Sequence, residues 1–241
     1  AGRFFHDLIP FEIRKILASF YTNPKSADLL AGLAINSWDD KIFDPACGSG
    51  TLLVAGYQKK MSLYKERFGY SKISEAHTRF LKEQITGIDI MPFAAHLTAV
   101  NLAMQEIDKK ADFLRIAAAD TLQYAGQLRT KKFSSGTGIK ISGLATTIQT
   151  TLSGKNIIQR KGGALSLDGS SLGFNLEPAD LVIMNPPFSD REKLPKETRD
   201  KINANKILNQ ICGNQINLWG LFISLSHFLI KPNGRIAAVI P

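Results

Sequence analysis

Four short apolar runs in this chain each stop at a carboxylate or amide side chain. LysIlePheAsp (41–44) and IleThrGlyIleAsp (85–89) end in aspartate, LeuArgIleAlaAlaAla (114–119) is followed by Asp120, and AspLeuValIleMet (180–184) by Asn185. Short, nearly continuous apolar runs read as strands of a parallel sheet buried on both faces. Apolar residues at helical spacing follow from Leu52 onward, from Pro92 to about Ile107, and from about Ile216 to Ile230, with Pro92 suited to a first helical position. A last strand, ArgIleAlaAlaValIle, closes the pattern at 235–240. Strands alternating with helices predict an α/β fold, a doubly wound and mostly parallel sheet. In such a sheet ligands bind beyond the carboxyl ends of the strands, the edge where these polar residues cluster.

Ahead of the first strand, residues 1–40 read as a helical segment: Ile13, Ile16, Leu17 and Phe20, then Ala27, Leu29, Leu30 and Leu33, flank a turn at 21–25. Residues 123–178 are rich in Gly, Ser and Thr and read as an insertion, with GlyIleLysIleSer (138–142) and AlaLeuSerLeuAsp (164–168) as hairpin candidates. The charged stretch from Arg191 to Lys206 reads as a mobile loop at the edge of the site. The whole of 1–241 is expected to be one catalytic unit.

The length, with 44% apolar and 21% charged residues, suits a single continuous core. Two cysteines far apart, Cys47 and Cys212, give neither a disulfide framework nor a metal-ligand pair, and the four histidines have no ligand spacing. No metal is expected, and a reducing, cytoplasmic setting is. His96 and His227 lie in apolar helical patterns, where a core or interface role is the default. The longest apolar stretch, Leu218 to Ile230, is too short to span a bilayer. A net charge of +9 favours polyanionic partners. Much of the excess sits where Arg129, Lys131, Lys132, Lys140, Lys155, Arg160 and Lys161 occur without one Asp or Glu, which fits either a nucleic-acid contact or a solvated loop.

The turn after the first strand, AspProAlaCysGlySerGly, brings Asp44, Pro45, Ala46, Cys47, Gly48, Ser49 and Gly50 to the ligand edge, where glycine lets a ligand approach the backbone. A dinucleotide fingerprint would want a third glycine where Leu53 stands, and no phosphate loop ending in GlyLysSer or GlyLysThr occurs. Cys47 reads as a small packing residue. Asp89 is placed to accept hydrogen bonds from both hydroxyls of a ribose, with Ile90 and Met91 as apolar surface for an adenine ring. Asp120 or Thr121 suits the polar edge of that adenine, although a strand-end aspartate also caps a following helix, and both roles stay open.

AsnProProPhe (185–188) is the most informative tetrapeptide. Pro186 and Pro187 stiffen the loop and remove two N–H donors, leaving the Asn185 side-chain oxygen and the Pro186 carbonyl as fixed acceptors for the two hydrogens of an amino group. Phe188 is placed to stack on the attached ring. Catalysis by this group is positioning.

These residues together resemble the amino-directed DNA methyltransferases, in particular the N6-adenine family of the gamma class that includes modification subunits of type I restriction systems. PheTyrThrAsnPro (20–24), the Asp44–Gly50 loop and the AsnProProPhe tetrapeptide carry the likeness, which extends over nearly the whole chain. The resemblance implies a Rossmann-like fold using S-adenosylmethionine. Tyr21 and Thr22 would contact its methionine part, Asp44 and the Ala46–Gly50 loop its amino and carboxylate ends, Asp89 its ribose and Asp120 its adenine. Asn185 and Pro186 would hold the target amino group, and Phe188 would stack on a flipped base. The chemistry implied is in-line displacement at the sulfonium methyl, with adenine in DNA as substrate and RNA second, then protein glutamine. A specificity subunit or C-terminal recognition domain is the expected partner, and a non-catalytic subunit of a larger assembly is the alternative. Since the chain stops at Pro241, the family's final antiparallel hairpin and recognition region are expected to be absent.

Overall fold

The computed structural model describes residues 22–108, 113–124, 139–141, 145–150, 156–161, 163–164, 173–190, 192, 194, 196–206 and 217–240. At its centre the strands β1 (Ile42–Asp44), β2 (Ile85–Asp89) and β3 (Arg115–Ala118) step outward in one direction, each parallel to the last. Strand β9 (Ala179–Met184) then pairs in parallel with the other side of β1, and β10 (Ile230–Ala238) extends the sheet beyond it. The order β10-β9-β1-β2-β3 is completed by a two-residue strand, β7 (Gly163–Ala164), antiparallel to β3. The direction of winding therefore reverses between β1 and β9, the position at whose carboxyl ends sheets of this kind take their ligands.

Side-chain alternation divides the core into two layers. Ile42, Ile85, Ile116, Leu181 and Ile183 face one side, against the helices α1 (Pro24–Ala34), α2 (Thr51–Phe68) and α4 (Pro92–Ala103), while α3 (Ile73–Arg79) runs on into a turn of π-helix at Phe80–Gln84. Phe43, Ile88, Ala117, Val182 and Met184 face the other, against Leu221 and Leu225 of a helix at Leu218–Ser226. Every residue of β1 and β2 is buried. The predicted doubly wound sheet is present, and among the described residues no helix is long and apolar enough to cross a membrane.

Local sequence sets the helix ends. Asn23 caps α1 by accepting the Lys25 N–H at 2.9 Å, and Pro24 starts it. Gly69, at φ 69°, ends α2 with its N–H on the Lys65 carbonyl. Ala94, Ala95, Thr98 and Ala99 give α4 a small-residue face that seats it close to the sheet.

Three readings change. GlyIleLysIleSer contributes β4 (Ile139–Ile141), whose antiparallel partner is β8 (Phe174–Leu176), while most of AlaLeuSerLeuAsp lies outside the described residues. A separate hairpin joins β5 (Ala145–Thr150) to β6 (Asn156–Lys161). Within the expected mobile loop stands a helix, α5 (Lys196–Ala204), with Leu194 and Ile202 buried in the second core layer, because those two apolar side chains give the charged stretch something to bury. The helix at Leu218–Ser226 follows as α6. His96 and His227 are both exposed, whereas the unremarked His77 is fully buried against Tyr57.

Candidate functional site

The turn after β1 is held by bonds from three neighbouring elements. Ala46 N–H donates to Asp44 Oδ1 at 3.0 Å, Cys47 N–H to the Ile88 carbonyl at 3.0 Å, and Gly48 N–H to Asp89 Oδ2 at 2.8 Å. From α4, Thr98 Oγ1 donates to the Gly48 carbonyl at 2.8 Å and Asn101 Nδ2 to the Ser49 carbonyl at 2.9 Å. Thr121 Oγ1 donates to the Pro45 carbonyl at 2.7 Å. Ser49 Oγ lies 3.3 Å from Thr51 Oγ1, at the start of α2.

The two glycines do different work. Gly50 has φ 82°, and a Cβ there would lie 2.9 Å from Thr98, so this glycine exists for contact with α4. Gly48 has φ 53°, but a Cβ there would meet nothing within 4 Å. Its bare side faces open space, the condition for a ligand to approach the backbone.

Asp44 is 1% exposed and Asp89 9% exposed, and burial raises the pKa of both. Asp44 is pushed up to about 8 by burial, opposed by the Ala46 N–H and reinforced by nearby Asp89. For Asp89 the N–H groups of Met91 and Gly48 oppose the same effect. Burial thus favours the neutral form of both acids, and a cation placed against the turn would favour their ionised form. Cys47 is buried and its thiol held well above its ordinary pKa by burial, as suits a packing residue rather than a nucleophile.

Asp89 sits where β2 ends, as expected, yet both its oxygens already accept backbone N–H groups: Oδ1 from Met91 and Oδ2 from Gly48, each at 2.8 Å. A carboxylate has roughly four acceptor sites, so this leaves capacity for a ligand. Ile90 beside it is 61% exposed, and Phe93, which the sequence reading passed over, is 56% exposed at the start of α4. Asp120 Oδ1 accepts the Leu122 N–H at 3.0 Å, the capping role left open above, and opens a 3-10 turn at Thr121–Tyr124. Thr98 and Asn101 were also passed over. Their signal is two polar residues about one turn apart in a helix whose remaining side chains, His96 excepted, are apolar.

Across the winding reversal, the Phe43–Val182 register brings the loop after β9 level with the glycine turn. There Asn185 Nδ2 donates to Thr22 Oγ1 at 3.0 Å, while Asn185 Oδ1 is buried with no hydrogen-bond partner among the described residues. Pro186 is buried and Pro187 and Phe188 half-buried. Tyr21, Lys131, Lys132 and Lys155 lie outside the described residues; Lys140, Arg160 and Lys161 are described as strand backbone alone.

A family model described as N-6 DNA methylase matches residues 12–135, more than half of the chain. The chain belongs to the N-6 DNA methylase family. A second model, described as Eco57I restriction-modification methylase, matches residues 83–241. Solved structures agree on the fold. A modification subunit of a putative type I restriction enzyme from Vibrio vulnificus YJ016 is 17% identical with TM-score 0.53, over 100% of this chain and 38% of that one. The DrdV protein solved with DNA is 14% identical with TM-score 0.55, over 97% and 21%. The type IIL restriction-modification enzyme MmeI, also with DNA, is 17% identical with TM-score 0.50, over 98% and 32%. The chain thus spans about a fifth to two fifths of the length of these structures. No curated protein matches it.

Proposed function

We propose that this N-6 DNA methylase transfers a methyl group from S-adenosylmethionine to the exocyclic amino group of adenine in DNA, as the catalytic core of a restriction-modification enzyme. One observation carries the reading: a glycine turn over two buried carboxyls stands beside a carboxamide whose oxygen is buried and has no hydrogen-bond partner among the described residues. The first suits a small cationic ligand and the second an N–H donor.

The residues fit the cofactor. Asp44 and the Ala46–Gly50 turn would hold its amino and carboxylate ends, the open side of Gly48 admits it, and Asp89 would take its ribose with Ile90 and Met91 beside its adenine. When bound, it supplies an electrophilic methyl group on a positively charged sulfur. Asn185 Oδ1 and the Pro186 carbonyl would accept the two hydrogens of the target amino group and hold its lone pair toward that methyl group, while Phe188 stacks on the ring. The target adenine must leave a duplex to reach this site, at a cost of a few kcal/mol. Stacking on Phe188 would offset roughly 1–3 kcal/mol of that.

The same proposal takes 1–241 as one catalytic core, supported by the two core layers on one sheet, with 123–178 as an insertion whose basic residues contact phosphate. Sequence recognition then belongs to a specificity subunit or recognition domain, and the setting is cytoplasmic. The test offers methyl-labelled cofactor to DNA, RNA and protein side by side. Label in DNA recovered as N6-methyladenine supports the proposal; label confined to RNA or protein overturns it.

A further inference from the structure

A carboxamide is nearly symmetric in shape but has an acceptor at one end and two donors at the other. Only one orientation of Asn185 offers an oxygen to an amino group; rotated by half a turn, the side chain would meet N–H with N–H. The terminal torsion of asparagine is broad and roughly two-fold, so a hydrogen-bond partner is needed to anchor it; a hydroxyl, able to accept or donate, holds whichever end it meets. Next to it in the chain, Pro186 has no N–H to offer.

Thr22 is the partner that the structure supplies. Its Oγ1 accepts from Asn185 Nδ2 at 3.0 Å, and the opposite end of the same amide, Oδ1, is the buried oxygen left unpaired among the described residues. Thr22 is 163 residues away in sequence and directly precedes Asn23 and Pro24, which cap and start α1. The hydroxyl is therefore mounted at the head of a packed helix, whose Ala27 and Ala31 are buried.

We propose that Thr22 is a positioning residue for methyl transfer, holding the Asn185 carboxamide with Nδ2 turned to the helix and Oδ1 turned to the target amino group. This rests on the function proposed above, and it differs from the cofactor contact that family resemblance assigns to Thr22. The two roles separate kinetically. A contact to the cofactor, once lost, weakens its binding; a lost positioning bond lowers kcat and leaves cofactor affinity intact.

The experiment compares Thr22→Val, Thr22→Ala and Thr22→Ser with Asn185→Ala in the full-length protein, measuring cofactor Kd by calorimetry and single-turnover methylation of DNA at saturating cofactor. Thr22→Val and Thr22→Ala delete the anchoring hydroxyl and are expected to slow transfer about 3- to 10-fold with Kd within twofold of wild type, while Thr22→Ser restores most of the rate. Two variants lacking the acceptor guard against one that does not fold. A weakened Kd with an unchanged saturated rate overturns the positioning role in favour of a cofactor contact. An unchanged rate in both, with Asn185→Ala inactive, overturns this inference alone. Full activity in Asn185→Ala overturns the function on which it rests.

Discussion

Asp89 Oδ2 accepts the backbone N–H of Gly48 at 2.8 Å, tying the end of the second strand to the turn that follows the first. The same carboxylate holds Met91 N–H through its other oxygen. Asp89 thus joins Thr98, Asn101 and Thr121 in shaping the loop, and Asp44 beneath the turn adds a second buried acid.

That arrangement has a pH signature. Burial raises Asp44 from 3.8 to about 8, so between those values the folded chain holds a proton that the unfolded chain has lost. Stability of the ligand-free protein should therefore fall as pH rises through this window. Asp44→Asn removes the effect: at pH 9 the variant should melt above wild type without ligand, yet bind S-adenosylmethionine more weakly. Wild-type affinity should rise as pH passes 8. Thermal melts and calorimetry across pH 6–9 check both, and parallel melting curves for the two proteins would contradict the account.

Gly48 and Gly50 should respond differently to alanine. Gly50→Ala combines a left-handed backbone, costing about 1–2 kcal/mol, with a contact to Thr98 at 2.9 Å, and should destabilise by about 2 kcal/mol or more. Gly48→Ala has the backbone penalty without the clash, so about 1 kcal/mol is expected, with cofactor affinity falling tenfold or more. Denaturant melts and calorimetry on the pair separate the two roles.

Lys60 is fully buried, with Nζ donating to the carbonyls of Trp38, at 2.6 Å, and Asp40, and lying 4.8 Å over the Phe80 ring. Burial lowers its pKa to about 7 against 10.5 in the unfolded chain. Between these values the unfolded state binds more protons, so stability should rise with pH there. In Lys60→Met that rise should vanish, and the two unpaired carbonyls should cost about 1–3 kcal/mol each. Melts at pH 7 and pH 10 provide the comparison.

Neutralising Lys131, Lys132, Arg160 and Lys161 together should weaken DNA binding at low salt and flatten the log–log salt slope by up to about 3 to 4. A fluorescence titration across ionic strength reads it directly, and an unchanged slope would remove these residues from the interface.

Much of this site was legible in the sequence because strand ends are local events. Asp44, Asp89, Asp120 and Asn185 each close an apolar run, and the sheet brings those ends to one edge. What one element does to another was not legible. Thr98 and Asn101 reach the glycine turn from α4 about fifty residues away, Thr121 commits its hydroxyl to Pro45, and Thr22 meets Asn185 across most of the chain. Helix α5 was hidden for another reason: its charged face dominates the sequence, and only Ile202, with Leu194 before it, marks a buried side.

The central claim is that Asn185 orients the target amino group beside a cofactor held by the neighbouring turn. Pairing calorimetric S-adenosylmethionine binding with single-turnover DNA methylation for wild type and Asn185→Ala tests it most directly. The account predicts equal cofactor affinity and a loss of transfer of about 100-fold or more. Equal transfer rates in the two proteins would contradict it.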